Sequence, residues 1–155
     1  MFHAFCYNSQ MKNNYSFEIC ARAVVIQNKR LLVCKNKAKN YYFFPGGHIE
    51  FNETAKEALK RELKEELGMK AKKFLYLGTI ENIYTEDKIR HHEINLVFKT
   101  DISKLSSLSR EDHIAFDFVD IRKLKREKIY PLVLRNALVK YLKNKKTFWA
   151  SRNEK

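Results

Sequence analysis

The sequence predicts helices packed on a β-sheet, in an α/β or α+β arrangement. Three observations predict it. β-rich runs recur along the chain and are interrupted by two amphipathic helical stretches. At 155 residues and 45% hydrophobic, the chain has the length and apolar share of one domain with a core of its own. Only four Gly and two Pro are present, which excludes a collagen-like or low-complexity chain.

The elements follow in order. Residues 1–16 are polar and aromatic without a period and are expected to form an N-terminal arm. Residues 18–26 (EICARAVVI) and 30–35 (RLLVCK) read as strands, with Gln27-Asn28-Lys29 as a tight hairpin. A short aromatic run, 41–44, stops at Pro45-Gly46-Gly47. Residues 54–67 (TAKEALKRELKEEL) form a helix opened by a capping box, Thr54 with Glu57, and closed by Gly68 as a left-handed cap. Residues 73–84 and 92–100 read as two strands joined by the charged turn Glu86-Asp87-Lys88. Residues 103–109 are a Ser-rich loop, and 116–121 another strand. Residues 131–143 (PLVLRNALVKYLK) form the second helix, with Pro131 in its first turn. The expected organisation is an arm at 1–16, a domain at 17–147 and a tail at 148–155, with Phe148 and Trp149 as packing residues.

Composition bounds the function class. Lys and Arg number 31 against 18 Asp and Glu, a net +13. That charge attracts polyanions, but 22 Lys against 9 Arg together with 12 Asn is also what an AT-rich coding genome gives, and the Lys are spread over every segment. Cys6, Cys20 and Cys34 are odd in number and lack zinc-ligand spacing, which points to a reducing cytoplasm. No apolar run approaches the ~18 residues of a membrane span, and the N-terminus has no signal-peptide pattern.

The first helix carries the chemistry. At ~100° per residue with Ala55 at 0°, Ala58, Leu59 and Leu63 make an apolar face, and Lys56, Lys60, Lys64 and Glu57 lie opposite. Glu62, Glu65 and Glu66 fall near 340°, 280° and 20°, beside or within the apolar face. Three carboxylates there are unfavourable without a cation to offset them. Hard divalent cations such as Mg²⁺ take such oxygen ligands. An ordinary solvated Glu/Lys face is the bland alternative, and the pair Glu57–Arg61 fits it.

The wider spacing runs Gly47, five residues, Glu53, seven residues, then Arg61-Glu62-Leu63-Lys64-Glu65-Glu66-Leu67-Gly68-Met69. This resembles the Nudix hydrolase signature, G-x5-E-x7-R-E-U-x-E-E-x-G-U with U aliphatic, at every fixed position. Seven fixed residues at ordinary usage of ~6–7% each coincide on the order of 10⁻⁸ times per start. The resemblance, to the MutT-like and ADP-ribose pyrophosphatase-like members, implies a Nudix α/β/α sandwich with a mixed sheet between the helices. It implies a metal-dependent hydrolase that cleaves the P–O–P bond of a nucleoside diphosphate linked to another moiety. It further implies that Glu62, Glu65, Glu66 and the Gly46 carbonyl hold Mg²⁺ or Mn²⁺, that Arg61 and Glu53 pair, and that Gly47 brings bare backbone to the substrate.

Weaker candidates surround this set. Glu111, with Asp112 beside it, is the loop candidate for general base, against Glu62 in the box or a plain surface role for Glu111. His48 is placed to touch a phosphate or to face solvent. Arg22 shares a strand face with Cys20 and Val24 and is placed to reach phosphate, or to be an edge-strand charge. Tyr84 lies near a position where some dinucleoside-polyphosphate-cleaving relatives carry Tyr. His91-His92-Glu93 resembles a metal cluster, but adjacent strand residues face opposite sides.

The expected partner is a small nucleotide, with no membrane. Many family members are dimers, so a homodimer is compatible. Scattered aromatics and the lack of a low-complexity tail weigh against RNA. ADP-ribose-type substrates lead because 81–94 resembles the strand–turn–strand of compact relatives. Nucleoside triphosphates, including oxidised ones, are the alternative, ahead of RNA 5′-ends. A non-catalytic nucleotide-binding module is disfavoured by the complete box.

Overall fold

The computed structural model describes residues 14–36, 41–103 and 114–154. Its elements run β1 (Tyr15–Val24), β2 (Ile26–Gln27), β3 (Arg30–Asn36), β4 (Tyr42–Phe43), β5 (Gly46–His48), α1 (Ala55–Leu67), β6 (Ala71–Glu86), β7 (Ile89–Ile102), β8 (Ile114–Asp120), β9 (Ile129–Tyr130), α2 (Leu132–Asn144) and β10 (Phe148–Asn153).

The strands form two mixed sheets where the sequence suggested one. The first has the order β10-β6-β7-β1-β5, and the second runs β2-β3-β4-β9 with β8 also paired to β3. β1 lies parallel to β7 and antiparallel to β5. The chain leaves the first sheet after Val24 and turns into the second. Both hairpins close on two-residue turns with left-handed backbone, Asn28-Lys29 and Asp87-Lys88. That backbone matches the twist of the flanking strands.

Side-chain alternation builds the sandwich. Val24, Leu31, Val33, Leu77, Ile80 and Val97 pack with Val133, Leu134, Ala137 and Leu138 of α2. Ala21, Ala23, Val25, Leu32 and Cys34 pack on the other side with Ala58, Leu59, Leu63 and Leu67 of α1. The two helices therefore cover opposite faces. Each fully buried Leu contributes about 1.5–3 kcal/mol, so Leu59, Leu63 and Leu67 hold α1 in place. Thr54 and Glu57 make both bonds of the capping box, and Gly68 ends the helix in a left-handed conformation. Pro131 stands at the N-cap of α2, one position before the first turn.

Two expected boundaries are corrected. Residues 148–153, expected as a tail, form β10 parallel to β6. The run Phe148-Trp149-Ala150-Ser151-Arg152-Asn153 alternates half-buried with exposed, a short strand pattern. Phe148 and Ala150 pack on the α2 core, whereas Trp149 is exposed. Tyr15 and Ser16, assigned to the arm, already belong to β1. Their pairing with Arg90 and His91 on β7 extends the strand beyond its apolar part. Among the described residues no helix is long and apolar enough to cross a membrane.

Candidate active site

The site is built where β5 meets α1. Gly46 has φ +118°, and a Cβ there would lie 2.2 Å from the Ala21 carbonyl oxygen. A Cβ on Gly47 would lie 2.4 Å from Glu62 Oε1. Only bare backbone lets this turn lie against both β1 and the helix. The Gly46 N–H donates to Glu66 Oε2 at 3.3 Å. Glu66 is 7% exposed, so one box carboxylate is sunk beside the turn.

Arg61 organises the rest. Its Nε and Nη2 donate to the two carboxylate oxygens of Glu53, at 3.2 and 2.7 Å. Its Nη1 reaches Glu62 Oε1 at 2.8 Å and Glu65 Oε2 at 3.3 Å, and Nη2 also donates to the His48 carbonyl at 3.0 Å. The expected Arg61–Glu53 pair is present as a two-pronged contact. Hydrogen bonding from Arg61 holds the Glu53 carboxyl below its usual range, and the bond to Glu53 raises Arg61 further. The structure thus places Glu53, Arg61, Glu62, Glu65, Glu66, Gly46 and Gly47 together, with Glu65 the most exposed of the box glutamates.

These residues fit a hard divalent cation. Three carboxylates and a carbonyl are all oxygen donors. Gly47 leaves the cradle that a Cβ would fill against Glu62. The Gly46 carbonyl accepts from Arg22 Nη1 at 2.7 Å, and a carbonyl oxygen has a second lone pair.

Arg22 is not an edge-strand charge. β1 is flanked by β7 and β5, and the Arg22 guanidinium bridges Gly46 to Asn95, with Nε donating to Asn95 Oδ1 at 2.9 Å. Asn95 Nδ2 donates to Glu93 Oε2 at 3.2 Å, and Tyr84 Oη to Glu93 Oε1 at 2.9 Å. Burial, then the Glu93 carboxylate, raises the Tyr84 hydroxyl well above its usual range. Arg22, Asn82, Tyr84 and Glu93 line a cavity of about 380 Å³ whose other walls include Tyr41 and Tyr130. Those two rings meet edge to face at 5.0 Å.

His48 is largely exposed at its side chain, and a ring nitrogen, Nε2, lies 2.8 Å from Glu18 Oε2. His91 Nδ1 lies 2.9 Å from Glu18 Oε1, and its ring stacks on Tyr84. His92 turns to the opposite face, against Glu81 at 2.8 Å, as strand alternation requires. Glu111 and Asp112 lie outside the described residues.

Sequence reasoning missed Glu18, Asn82 and Asn95, and took Glu93 only as part of a local histidine cluster. Glu93, Asn95 and Asn82 are buried polar residues on one sheet face. Alternation of His91, Glu93 and Asn95 along β7 was the signal that could have found the face. It becomes legible only once β7 is known to pair with both β6 and β1.

The chain is 39% identical over 67 residues to the 8-oxo-dGTP diphosphatase of Buchnera aphidicola from Acyrthosiphon pisum, covering 43% of this chain and 54% of that one. It is 28% identical over 109 residues to the ADP-ribose pyrophosphatase of Methanocaldococcus jannaschii, covering 68% and 63%. The chain therefore spans between about half and just under two thirds of the length of these relatives. Among solved structures, the MutT protein of Bacillus halodurans superposes with a TM-score of 0.72 at 15% identity, covering 86% of this chain and 88% of that one. The MutT protein of Methanosarcina mazei gives 0.63 at 22%, covering 88% and 99%. These likenesses carry the expected α/β/α fold. The model of the NUDIX domain matches residues 17–138, a span that holds both the glycine turn and the glutamate helix, and the chain belongs to the Nudix family.

Proposed function

We propose that this protein is a metal-dependent pyrophosphohydrolase that cleaves the P–O–P bond of a nucleoside diphosphate linked to another moiety. The observation that carries the reading is the contact of the Gly46-Gly47 turn with Glu62 and Glu66, beside a cavity walled by aromatic rings. Glu62, Glu65, Glu66 and the Gly46 carbonyl would hold Mg²⁺ or Mn²⁺. Such an ion, when bound, neutralises phosphate charge and lowers the pKa of bound water.

The chain's own residues do the rest. Arg61 fixes α1 against the loop through Glu53 and the His48 carbonyl. Arg22 links the turn, through Asn95, to Glu93 on the cavity wall. Tyr41 and Tyr130 offer ring faces to a base, and Glu93 and Asn82 offer polar edges. Glu111 and Glu62 are the candidates for activating water.

Within this class, ADP-ribose-type substrates remain the leading reading. The longer of the two matches, 109 residues against 67, is to a protein named ADP-ribose pyrophosphatase. The second reading is a nucleoside triphosphate of the 8-oxo-dGTP kind. It is favoured by the higher identity, 39% against 28%, to a protein named 8-oxo-dGTP diphosphatase. The test compares kcat/KM for ADP-ribose, 8-oxo-dGTP, diadenosine tetraphosphate and 5′-triphosphate RNA with Mg²⁺. A hundredfold preference for the RNA, or no hydrolysis of any free nucleotide, overturns the reading.

A further inference from the structure

Away from the glutamate helix, the sheet face that carries Arg22 brings together a second group of ligating side chains. Glu18 and Cys20 are two residues apart on β1 and point to the same side. His48 on β5 is the cross-strand partner of Cys20. Ligand atoms of Glu18, Cys20 and His48 all lie within 4.8 Å of one another. His91, opposite Ser16 on β7, reaches the other oxygen of Glu18 at 2.9 Å. Cys20 is fully buried and in no disulfide.

We propose that Glu18, Cys20 and His48 form a second metal site, for a borderline transition-metal ion of the zinc class, with His91 orienting the Glu18 carboxylate. The donor set decides the class of ion. The box glutamates offer oxygen alone, whereas this group offers one sulfur, one imidazole nitrogen and one carboxylate oxygen, the mixture that Zn²⁺ takes and Mg²⁺ does not. Bonds of ~2.0–2.3 Å put tetrahedral ligand atoms roughly 3.3–3.6 Å apart. Contacts already within 4.8 Å therefore need an adjustment of at most about 1.5 Å, and the exposed His48 ring is the part able to supply it. The histidine–carboxylate contact from His91 is the kind of outer support that fixes a ligating carboxylate. Three protein ligands leave a fourth position for water or another group. An ion here would pin β5 to β1 at the residue after the Gly46-Gly47 turn, so it would stiffen the turn from the side away from α1. The proposal does not depend on the hydrolase reading.

The test is a spectroscopic titration of the metal-stripped full chain with Co²⁺ alone. The expected result is one equivalent bound with a thiolate-to-cobalt charge-transfer band in the near ultraviolet and strong visible bands of a tetrahedral ion, beside the Co²⁺ that the box carboxylates take without a thiolate band. Zn²⁺ should abolish these bands and Mg²⁺ should leave them. Cys20→Ser should lose the charge-transfer band. His48→Ala, at a largely exposed side chain, should weaken Co²⁺ binding at least tenfold and remove the rise in Tm that Zn²⁺ gives the parent chain. Cys6→Ser should bind as the parent does. Absence of the charge-transfer band in the parent chain, its survival in Cys20→Ser, or unchanged binding in His48→Ala overturns the proposal.

Discussion

The guanidinium of Arg22 donates to the carbonyl oxygen of Gly46 at 2.7 Å while its Nε holds Asn95. One side chain in the middle of a sheet thus fixes the backbone atom expected to ligate the metal. Arg22→Lys keeps the charge and loses the planar fork that makes both bonds. It should lower kcat/KM about tenfold or more, a loss of roughly 1.4 kcal/mol. Steady-state kinetics on the preferred nucleotide checks this, and near-parental kcat/KM would refute the link.

Glu66→Gln should lower kcat at least about a hundredfold, or roughly 2.7 kcal/mol. The swap keeps volume and removes a charge beside the Gly46 N–H. Circular dichroism should show an unchanged fold. EDTA should abolish activity in the parent chain, and Mg²⁺ or Mn²⁺ should restore it. Parental turnover in the variant would refute the ligand assignment.

Arg61→Ala should cost stability as well as activity. It leaves Glu53, Glu62 and Glu65 without the cation that now bridges them. A hydrogen bond to a charged group contributes about 1.5–3 kcal/mol, and a loss in that range is expected in urea unfolding. Glu53→Ala added to Arg61→Ala should cost less than the sum of the single changes, because the two side chains act on each other.

Acid should expose the Glu18 network. Burial pushes the Glu18 carboxyl up, but hydrogen bonds from Ser16, His48 and His91 outweigh it and hold the group at about 2. A carboxyl depressed in the folded state stabilises the fold above its unfolded pKa of 4.5 and loses that contribution as pH falls toward 2. Unfolding free energy should therefore decline between those values, and Glu18→Gln should flatten the decline. An identical pH slope in the variant would contradict the assignment.

Much of the site was legible because its logic is local. The spacing from Gly47 to Met69 lies on one turn and one helix, so periodicity alone put Glu62 and Glu66 at the core boundary, where the structure has them. Thr54, Glu57 and Gly68 marked the helix ends by their own chemistry. Long-range pairing was not legible in the same way. Nothing near Arg22 in sequence names Asn95 as its partner across 73 residues. The division into two sheets was hidden for the same reason, since β8 finds β3 only in three dimensions. Strand β10 was missed because six residues with one exposed Trp resemble an end of chain until β6 is seen beside them.

That last strand has a practical meaning for anyone handling the protein. Arg90 bonds Asn153 and the Glu154 carbonyl, and Glu154 is part of the cavity wall. Removing residues 148–154 would leave β6 as an open sheet edge, paired to β7 alone, and would breach the wall at once. A label attached at Glu154 would start from the cavity's rim, so its placement is also a choice about the binding measurements.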